Sequence, residues 1–222
     1  MNGRHELKYY INPSDYAQLR SRLCIVAKPD KNADEGGGYR IRSLYFDNYQ
    51  DKMVTEKLSG LNNREKFRIR YYNENIDFMN LEKKSKRNGL TYKEKAALTK
   101  EECDDILSGR YQCLKEKDVP LLAELYAKMH YQGLRPRVIV EYDREVYVYP
   151  AGNVRVTIDS GIRMSNHVFE FLNPDFASIP AANALIMEVK YDGFIPDVMR
   201  QVLQIDQRNR TEFSKYIVSR LV

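Results

Sequence analysis

Alternating polar and apolar positions recur along the chain and predict a protein built mainly from β-strands. In residues 4–11 and 64–72, polar side chains occupy every second position and apolar side chains fill most of the positions between them. The same pattern predicts strands at residues 39–47, 78–86, 90–95, 136–149, 153–159 and 184–191. Asn88-Gly89 separates two of these strands, and this dipeptide is typical of tight hairpin turns.

Five stretches between and after the strands carry helix signals. They begin at Asn12-Pro13-Ser14, at the capping box Thr99-Lys100-Glu101-Glu102 and at Pro120, and the last two span about residues 196–206 and 211–221. The second is predicted to end near Ser108, and the third stops at Gly133. Strands and helices in this order predict a single α+β domain over residues 1–222, dominated by antiparallel strands.

Composition narrows the class of protein. Of the 222 residues 43% are hydrophobic, which supplies a sizeable core. The sequence has no apolar run long enough to span a bilayer and no signal peptide, so we expect a cytoplasmic protein. The three widely spaced cysteines predict neither a disulfide framework nor a zinc site. A net charge of +5 is mildly basic and does not by itself require nucleic acid.

The polar faces of the predicted strands are repeatedly cationic. The side chains that share such faces are Lys8 with Glu6, Arg40 with Arg42, Arg68 with Arg70, Lys84 and Lys86 with Glu82, Arg155 with Asp159, and Lys190 with Glu188. A surface selected for solubility alone would mix both signs of charge, and like charges opposite one another destabilise a sheet. We therefore expect an extended polyanion, such as a polyphosphate chain, to lie between these cations.

Two other interpretations of the cationic strands stay open. A solvated sheet surface with scattered lysines explains any one strand equally well. An RNA-binding sheet would place tyrosines on the cationic faces, where they could stack on bases. Tyr71 lies on the face opposite Arg68 and Arg70, which argues against nucleic acid. Tyr10 and Tyr72 do not argue against it. Periodicity also does not distinguish an open sheet from a closed barrel.

Glu188 is the strongest candidate for a metal ligand. It lies between the apolar residues Met187 and Val189, and hard carboxylate oxygens suit a divalent cation that bridges phosphate oxygens. Glu6 is the second candidate on the cationic faces. An ion pair between Glu188 and Lys190 is the competing explanation.

An ordered set of short motifs links the whole chain to a known family. The motifs are Arg4-His5-Glu6-Leu7-Lys8-Tyr9, Ser43-Leu44-Tyr45-Phe46-Asp47, Arg68-Ile69-Arg70-Tyr71, Glu82-x-Lys84, Glu141-Tyr142-x-Arg144, Arg155-Val156-Thr157-Ile158-Asp159, Met187-Glu188-Val189-Lys190 and Phe213-Ser214-Lys215-Tyr216. Together they resemble the VTC domain, the polyphosphate polymerase branch of the triphosphate tunnel metalloenzymes. The wider superfamily opens with Glu-x-Glu-x-Lys, whereas this chain has Arg4-x-Glu6-x-Lys8. The lost carboxylate argues against the two-metal cyclase and thiamine-triphosphatase branch.

This resemblance implies an eight-stranded antiparallel β-barrel tunnel with flanking helices. It also implies a Mn²⁺ or Mg²⁺ cofactor and ATP, polyphosphate or tripolyphosphate as ligands. Combining it with the residue patterns, we predict three groups of site residues. The catalytic group is Arg68, Arg70, Lys84, Arg144 and Arg155; the substrate-binding group is Lys8, Arg42, Lys93, Lys190, Ser214 and Lys215; the metal-binding group is Glu188 and Glu6.

The implied reaction is phosphoryl transfer, with synthesis of polyphosphate from ATP as the first hypothesis. A tripolyphosphatase or nucleoside triphosphatase is the second, with Glu6 or Glu188 orienting a water. The third is a non-catalytic polyphosphate-binding domain. Eukaryotic members of the family work in a membrane complex, so the resemblance also leaves room for a separate membrane partner.

Overall fold

One antiparallel sheet organises the molecule. The computed structural model describes residues 4–30, 33, 37–87 and 90–220. The strands are β1 (His5–Ile11), β2 (Lys28–Pro29), β3 (Gly38–Asp47), β4 (Arg64–Tyr72), β5 (Asn75–Arg87), β6 (Leu90–Leu98), β7 (Arg135–Tyr149), β8 (Val154–Ser165), β9 (Ile179–Ala182) and β10 (Leu185–Tyr191). Eight of them pair in the order β1-β10-β8-β7-β3-β4-β5-β6, while β2 joins β7 and β9 joins β8 beside this path.

The sheet curls into a half-barrel. Lys84 on β5 forms a 2.9 Å ion pair with Glu6 on β1, although these strands lie near opposite ends of the sheet order. Every pair of neighbouring strands along the eight-strand path is antiparallel. The predicted architecture of eight antiparallel strands in an α+β fold is therefore confirmed.

The helices begin and end largely where their signals predict. They are α1 (Pro13–Val26), α2 (Lys52–Leu58), α3 (Lys100–Leu107), α4 (Pro120–Gln132), α5 (Asp197–Leu203) and α6 (Lys215–Val218). Capping boxes at Asn12 and Thr99 open α1 and α3, and Gly133 ends α4 in the left-handed conformation at φ 65°. Among the described helices, none has the length and hydropathy needed to cross a membrane.

Three apolar clusters fix the shape of the half-barrel. The first packs Phe67, Ile69 and Leu81 of the convex face against α3 and α4. The second packs β1, β8 and β10 against α1 and α5. The third lies on the concave face, where Phe213 and Tyr216 of the C-terminal segment contact the sheet. The short helix α6 thus lies inside the curve of the sheet, on the side opposite α1, α3, α4 and α5.

Several predicted bounds were wrong. Helix α2 carries no fully buried residue, and β9 is only four residues long, so neither left a periodic signal. Strand β8 continues past residue 159 to Ser165 through an irregular pairing near Gly161, which has a φ of 58°. The last two helices are shorter than predicted, and residues 211–214 are not helical. The predicted turn at Asn88-Gly89 lies outside the described residues.

Candidate anion-binding site

The concave face gathers cations from most strands of the half-barrel. They are Lys8 (β1), Lys66, Arg68 and Arg70 (β4), Lys84 (β5), Lys93 (β6), Arg144 (β7), Arg155 (β8), Lys190 (β10) and Lys215 (α6). Four carboxylates share this face, those of Glu6, Glu82, Asp159 and Glu188. Since the cations outnumber these carboxylates, the face has a net positive charge that suits an anionic ligand.

Glu82 is the centre of one cationic group. Its carboxylate accepts hydrogen bonds from Arg68 at 2.5 Å and from Lys93 at 2.6 Å, with Arg70 3.8 Å away. The Arg70 guanidinium also donates to the hydroxyls of Ser43 and Tyr142, each at 3.0 Å. Burial alone would raise the pKa of Glu82, but the three cations hold it well below its usual 4.5. Glu82 is therefore ionised and fixes these side chains in place.

Asp159 is the centre of a second group. It is fully buried and accepts two bonds from Arg144, at 2.6 and 2.8 Å, and a further bond from Lys215. Burial raises the pKa of Asp159, but Arg144 and Lys215 outweigh this effect and lower it. The Lys215 ammonium also lies 4.3 Å from the Tyr142 ring centroid, within cation–π distance. Lys215 reaches this position because α6 lies inside the half-barrel.

The position of α6 depends on buried polar contacts. The Tyr216 hydroxyl donates to Asp47 at 2.5 Å, and Asp47 also accepts from the backbone N–H of Met53 at 3.0 Å. Arg220, just after the helix, pairs with Asp51 at 2.9 Å. The start of α2 and the whole of α6 are thereby tied to the end of β3.

Glu6 and Glu188 form the third group with three lysines. Glu6 pairs with Lys8 at 3.0 Å and Lys84 at 2.9 Å, and Glu188 pairs with Lys190 at 2.7 Å. Burial and the neighbouring Glu188 would raise the pKa of Glu6, but the lysines lower it to about 2. Both candidate metal ligands are thus carboxylates with cationic neighbours, and the ion pair between Glu188 and Lys190 is present.

Two further predicted residues lie at the edges of these groups. Arg155 donates to the Tyr39 hydroxyl at 2.8 Å and pairs with Asp30 at 2.9 Å. Ser214 precedes α6 and lines a cavity of about 520 Å³, together with Lys8 and Lys84. The structure therefore gathers every predicted site residue except Arg42 on or beside the concave face.

Arg42 lies on the convex face, so its predicted place among the ligand-binding cations was wrong. Its side chain is 2% exposed and donates to Glu141 at 2.7 Å. It also donates to the carbonyl oxygens of Asn173, at 2.5 Å, and Pro174, at 3.0 Å. The interior face of β3 instead carries Ser43 and Tyr45, as their contacts with the β4 arginines show. Arg42 anchors the segment at residues 171–174 to the outside of the sheet.

Sequence reasoning left several residues of the concave face unassigned. They are Lys66, Glu82, Asp159, Tyr39, Tyr45 and Tyr142. The available signal was their spacing, since Lys66 lies two residues before Arg68, and Tyr142 lies two residues before Arg144. The tyrosine hydroxyls gave no signal, because their partners come from other strands. Burial would raise the pKa of Tyr45, but Arg68, Lys66 and Arg70 lower it to about 7.

The donor set is compatible with a divalent metal shared with a phosphate ligand. Within the described part of the chain, no three His, Cys, Asp or Glu side chains cluster as a metal centre made by protein alone. Glu6 and Glu188 are close enough for each carboxylate to influence the other, as the pKa of Glu6 shows. Mg²⁺ sites commonly use one or two carboxylates together with substrate phosphates and water. These two residues fit that type of site.

Comparisons with known proteins found similar solved structures and one matching family model. A Bacillus halodurans protein, solved as a candidate adenylate cyclase, is similar with a TM-score of 0.58, 14% identity and 96% coverage of both chains. The PH1012 protein from Pyrococcus horikoshii is similar with a TM-score of 0.45 and 13% identity, covering 92% of this chain and 88% of its own. A search of curated proteins found no match. The family model of the VTC domain matches residues 3–222, and the chain therefore belongs to the VTC domain family.

Proposed function

We propose that this protein carries out metal-dependent phosphoryl transfer on a nucleoside triphosphate or polyphosphate, and specifically that it synthesises polyphosphate from ATP. The observation that carries the proposal is the excess of cations over carboxylates on the concave face. A chain of phosphates presents charge at regular intervals, and guanidinium and ammonium groups from successive strands match such a ligand. Membership of the VTC domain family supports an activity on nucleotides or polyphosphate.

The three groups of cations have distinct parts in the proposed reaction. Arg68, Arg70 and Lys93 around Glu82 bind phosphate oxygens on one side of the ligand, and Arg144 and Lys215 around Asp159 bind them on another. Because the carboxylates hold these side chains in fixed positions, little reorganisation is needed when charge develops on the transferred phosphoryl group. Arg155, Lys84, Lys8 and Lys190 extend the positive surface along the phosphate chain.

The nucleophile in the proposed synthesis is the end of a phosphate chain. Such an oxygen is already ionised near neutral pH, so the protein needs no general base. Its residues bind and orient the two phosphate groups and neutralise charge in the in-line transition state. Glu188 and Glu6 would hold a Mn²⁺ or Mg²⁺ ion, which supplies further neutralisation of phosphate charge when it is bound.

A hydrolase is the second candidate function. In it, Glu6 or Glu188 would orient an attacking water towards the bound triphosphate. Both carboxylates are held by lysines at 2.7–3.0 Å, and the pKa of Glu6 is lowered to about 2, which makes it a weak base. This observation favours transfer to a phosphate acceptor over hydrolysis.

One assay separates the candidate functions. Purified protein is incubated with ATP and Mn²⁺ or Mg²⁺, and the products are resolved by chain length on a polyacrylamide gel. Polyphosphate chains and ADP are the expected products. Orthophosphate and ADP without chains would identify a hydrolase instead. Tight binding of tripolyphosphate without turnover would identify a binding domain and contradict the proposed reaction.

A further inference from the structure

Lys66 is one of the concave-face lysines that form no ion pair with a carboxylate among the described residues, and Lys86 of the same cavity is another. Lys8, Lys84, Lys93, Lys190 and Lys215 each form an ion pair with a carboxylate. In the described part of the chain, no ion pair or hydrogen bond satisfies the Lys66 ammonium. Within the described part of the chain, no carboxylate therefore competes with an anionic ligand for the Lys66 ammonium.

The surroundings of Lys66 are themselves cationic. It lies directly opposite Lys84 in the ladder between β4 and β5, and Lys84 lies opposite Lys93. Burial lowers the pKa of Lys66 to about 7, and the charges of Lys84, Lys8 and Arg68 add to this effect against the opposing influence of Tyr45. These neighbouring ammonium groups repel one another, and a bound anion would relieve that repulsion.

Lys66 borders a cavity that is large enough for a phosphate group. This cavity of about 520 Å³ is lined mainly by cations, among them Lys8, Lys66, Lys84 and Lys86. Its lining also includes the hydroxyl-bearing Thr91 and Ser214 and the carboxylates of Glu6, Glu65 and Glu212. Among the described residues, Arg68, Arg70 and Arg144 do not line it. The cavity is therefore next to the groups around Glu82 and Asp159 but separate from them.

We propose that Lys66 and this cavity bind the accepting phosphate, either orthophosphate or the end of a polyphosphate chain, while the groups around Glu82 and Asp159 bind the donor triphosphate. This inference rests on the proposed phosphoryl transfer. An oxygen of the accepting phosphate attacks the γ-phosphorus, and a new P–O–P bond forms. The bond from the γ-phosphorus to the β–γ bridging oxygen breaks, and ADP leaves with that electron pair.

A binding experiment can measure the proposed acceptor site separately from the donor site. The protein is first saturated with a non-hydrolysable ATP analogue in which nitrogen replaces the β–γ bridging oxygen, and pyrophosphate is then titrated by calorimetry. We expect wild-type protein to bind pyrophosphate under these conditions. Lys66→Met should weaken this binding at least about tenfold while changing the affinity for the analogue less than about threefold. Lys52→Met, an exposed lysine of α2 that does not line the cavity, serves as the control.

Stability provides a second readout. Because Lys66 sits among like charges without a carboxylate partner, Lys66→Met should leave the melting temperature unchanged or raise it. A lysine with a merely structural role would lower it. If the methionine variant does not fold, Lys66→Gln replaces it in the same titrations. Pyrophosphate binding that is unchanged in the variant, or that simply competes with the analogue in wild-type protein, would overturn the proposed site.

Failure of the proposed phosphoryl transfer can be told apart from failure of the proposed acceptor site. If wild-type protein makes no polyphosphate from ATP, the phosphoryl-transfer proposal fails, yet the titration still decides whether Lys66 forms a second anion site. If wild-type protein makes polyphosphate and Lys66→Met makes it equally well at limiting acceptor concentration, only the acceptor role is overturned.

Discussion

At the scale of single residues, the side of the sheet on which an arginine lies decides what it does. Arg70 and Arg42 are both buried and lie on adjacent, paired strands. Arg70 faces the concave side, where Glu82, Ser43 and Tyr142 surround it. Arg42 faces the convex side and is enclosed by Glu141 and backbone carbonyls. The first is in a position to bind a ligand, and the second stabilises the fold.

Arg70→Ala should weaken binding of tripolyphosphate without unfolding the protein. A charge-assisted hydrogen bond contributes about 1.5–3 kcal/mol, so the dissociation constant should rise at least about tenfold. Calorimetry measures the affinity, and circular dichroism at increasing temperature measures folding. Arg40→Ala is the matched control, because Arg40 is an exposed arginine of β3 that pairs with Asp143. Equal affinities in wild type and Arg70→Ala would contradict the assignment of this face.

Arg42→Met should lower the stability of the protein and leave its affinity for tripolyphosphate unchanged, the opposite of Arg70→Ala. Removing one partner of a buried ion pair leaves the Glu141 carboxylate without its cation, which costs about 3–5 kcal/mol of the free energy of unfolding. Urea denaturation measures this loss. The affinity of the folded variant for tripolyphosphate should stay the same, since Arg42 lies on the convex face. A loss of affinity for tripolyphosphate at unchanged stability would show that Arg42 contributes to ligand binding.

At the scale of elements, the C-terminal helix α6 carries a site residue into the half-barrel although it has only four residues. Too short to be stable alone, it is held by Phe213, Tyr216 and Ile217 against the sheet and by the Tyr216–Asp47 hydrogen bond. Its contribution to the site is Lys215, which completes the group around Asp159. Tertiary contacts therefore set the position of Lys215.

Tyr216→Phe should loosen α6 and weaken ligand binding together. Loss of the buried hydrogen bond to Asp47 should lower the free energy of unfolding by about 1–3 kcal/mol. Amide hydrogen exchange at residues 215–218 should become faster, and tripolyphosphate affinity should fall because Lys215 is less well positioned. The control is Tyr131→Phe, an exposed tyrosine of α4. Unchanged exchange at α6 would show that the apolar contacts alone hold the helix.

The sequence predicted regular elements well and irregular ones poorly. Strand β4 was predicted at its observed bounds, because charged and apolar residues alternate through it without interruption. Helix α2 and strand β9 were missed, since one buries no residue fully and the other spans four residues. Alternation correctly put Arg40 and Arg42 on one face of β3, but it does not tell which face is concave. The carbonyl groups of residues 171–174 that accept from Arg42 on the convex face leave no periodic pattern in the sequence.

At the scale of the whole molecule, the concave face is a network of buried charges, and its stability depends on pH. Glu82, Asp159, Glu188 and Glu6 all have pKa values below their usual range, because cations outweigh the effect of burial. A carboxylate with a lowered pKa in the folded protein stabilises the fold above its unfolded pKa. This contribution is lost as the pH falls towards the folded pKa.

Glu82→Gln makes this pH dependence measurable. At pH 7 the variant should be less stable than wild type, since Arg68, Arg70 and Lys93 lose their shared carboxylate. The difference in free energy of unfolding should shrink as the pH falls below the usual glutamate value of 4.5. Urea denaturation at several values between pH 7 and 3 checks this, with the exposed Glu74→Gln as the control. A difference that stays constant over this range would contradict the prediction.

The pairing of the carboxylates with cations has a consequence for ligand selection. Glu82 and Asp159 already pair with the arginines and lysines of the site. An anionic ligand must therefore compete with these carboxylates for the same cations. We expect a threshold of charge density at this part of the site, which a triphosphate exceeds and a nucleoside monophosphate does not. No carboxylate among the described residues pairs with Lys66, and we expect a single phosphate group to suffice there. Orthophosphate and nucleoside monophosphates would thereby be excluded from the donor part of the site by their low charge.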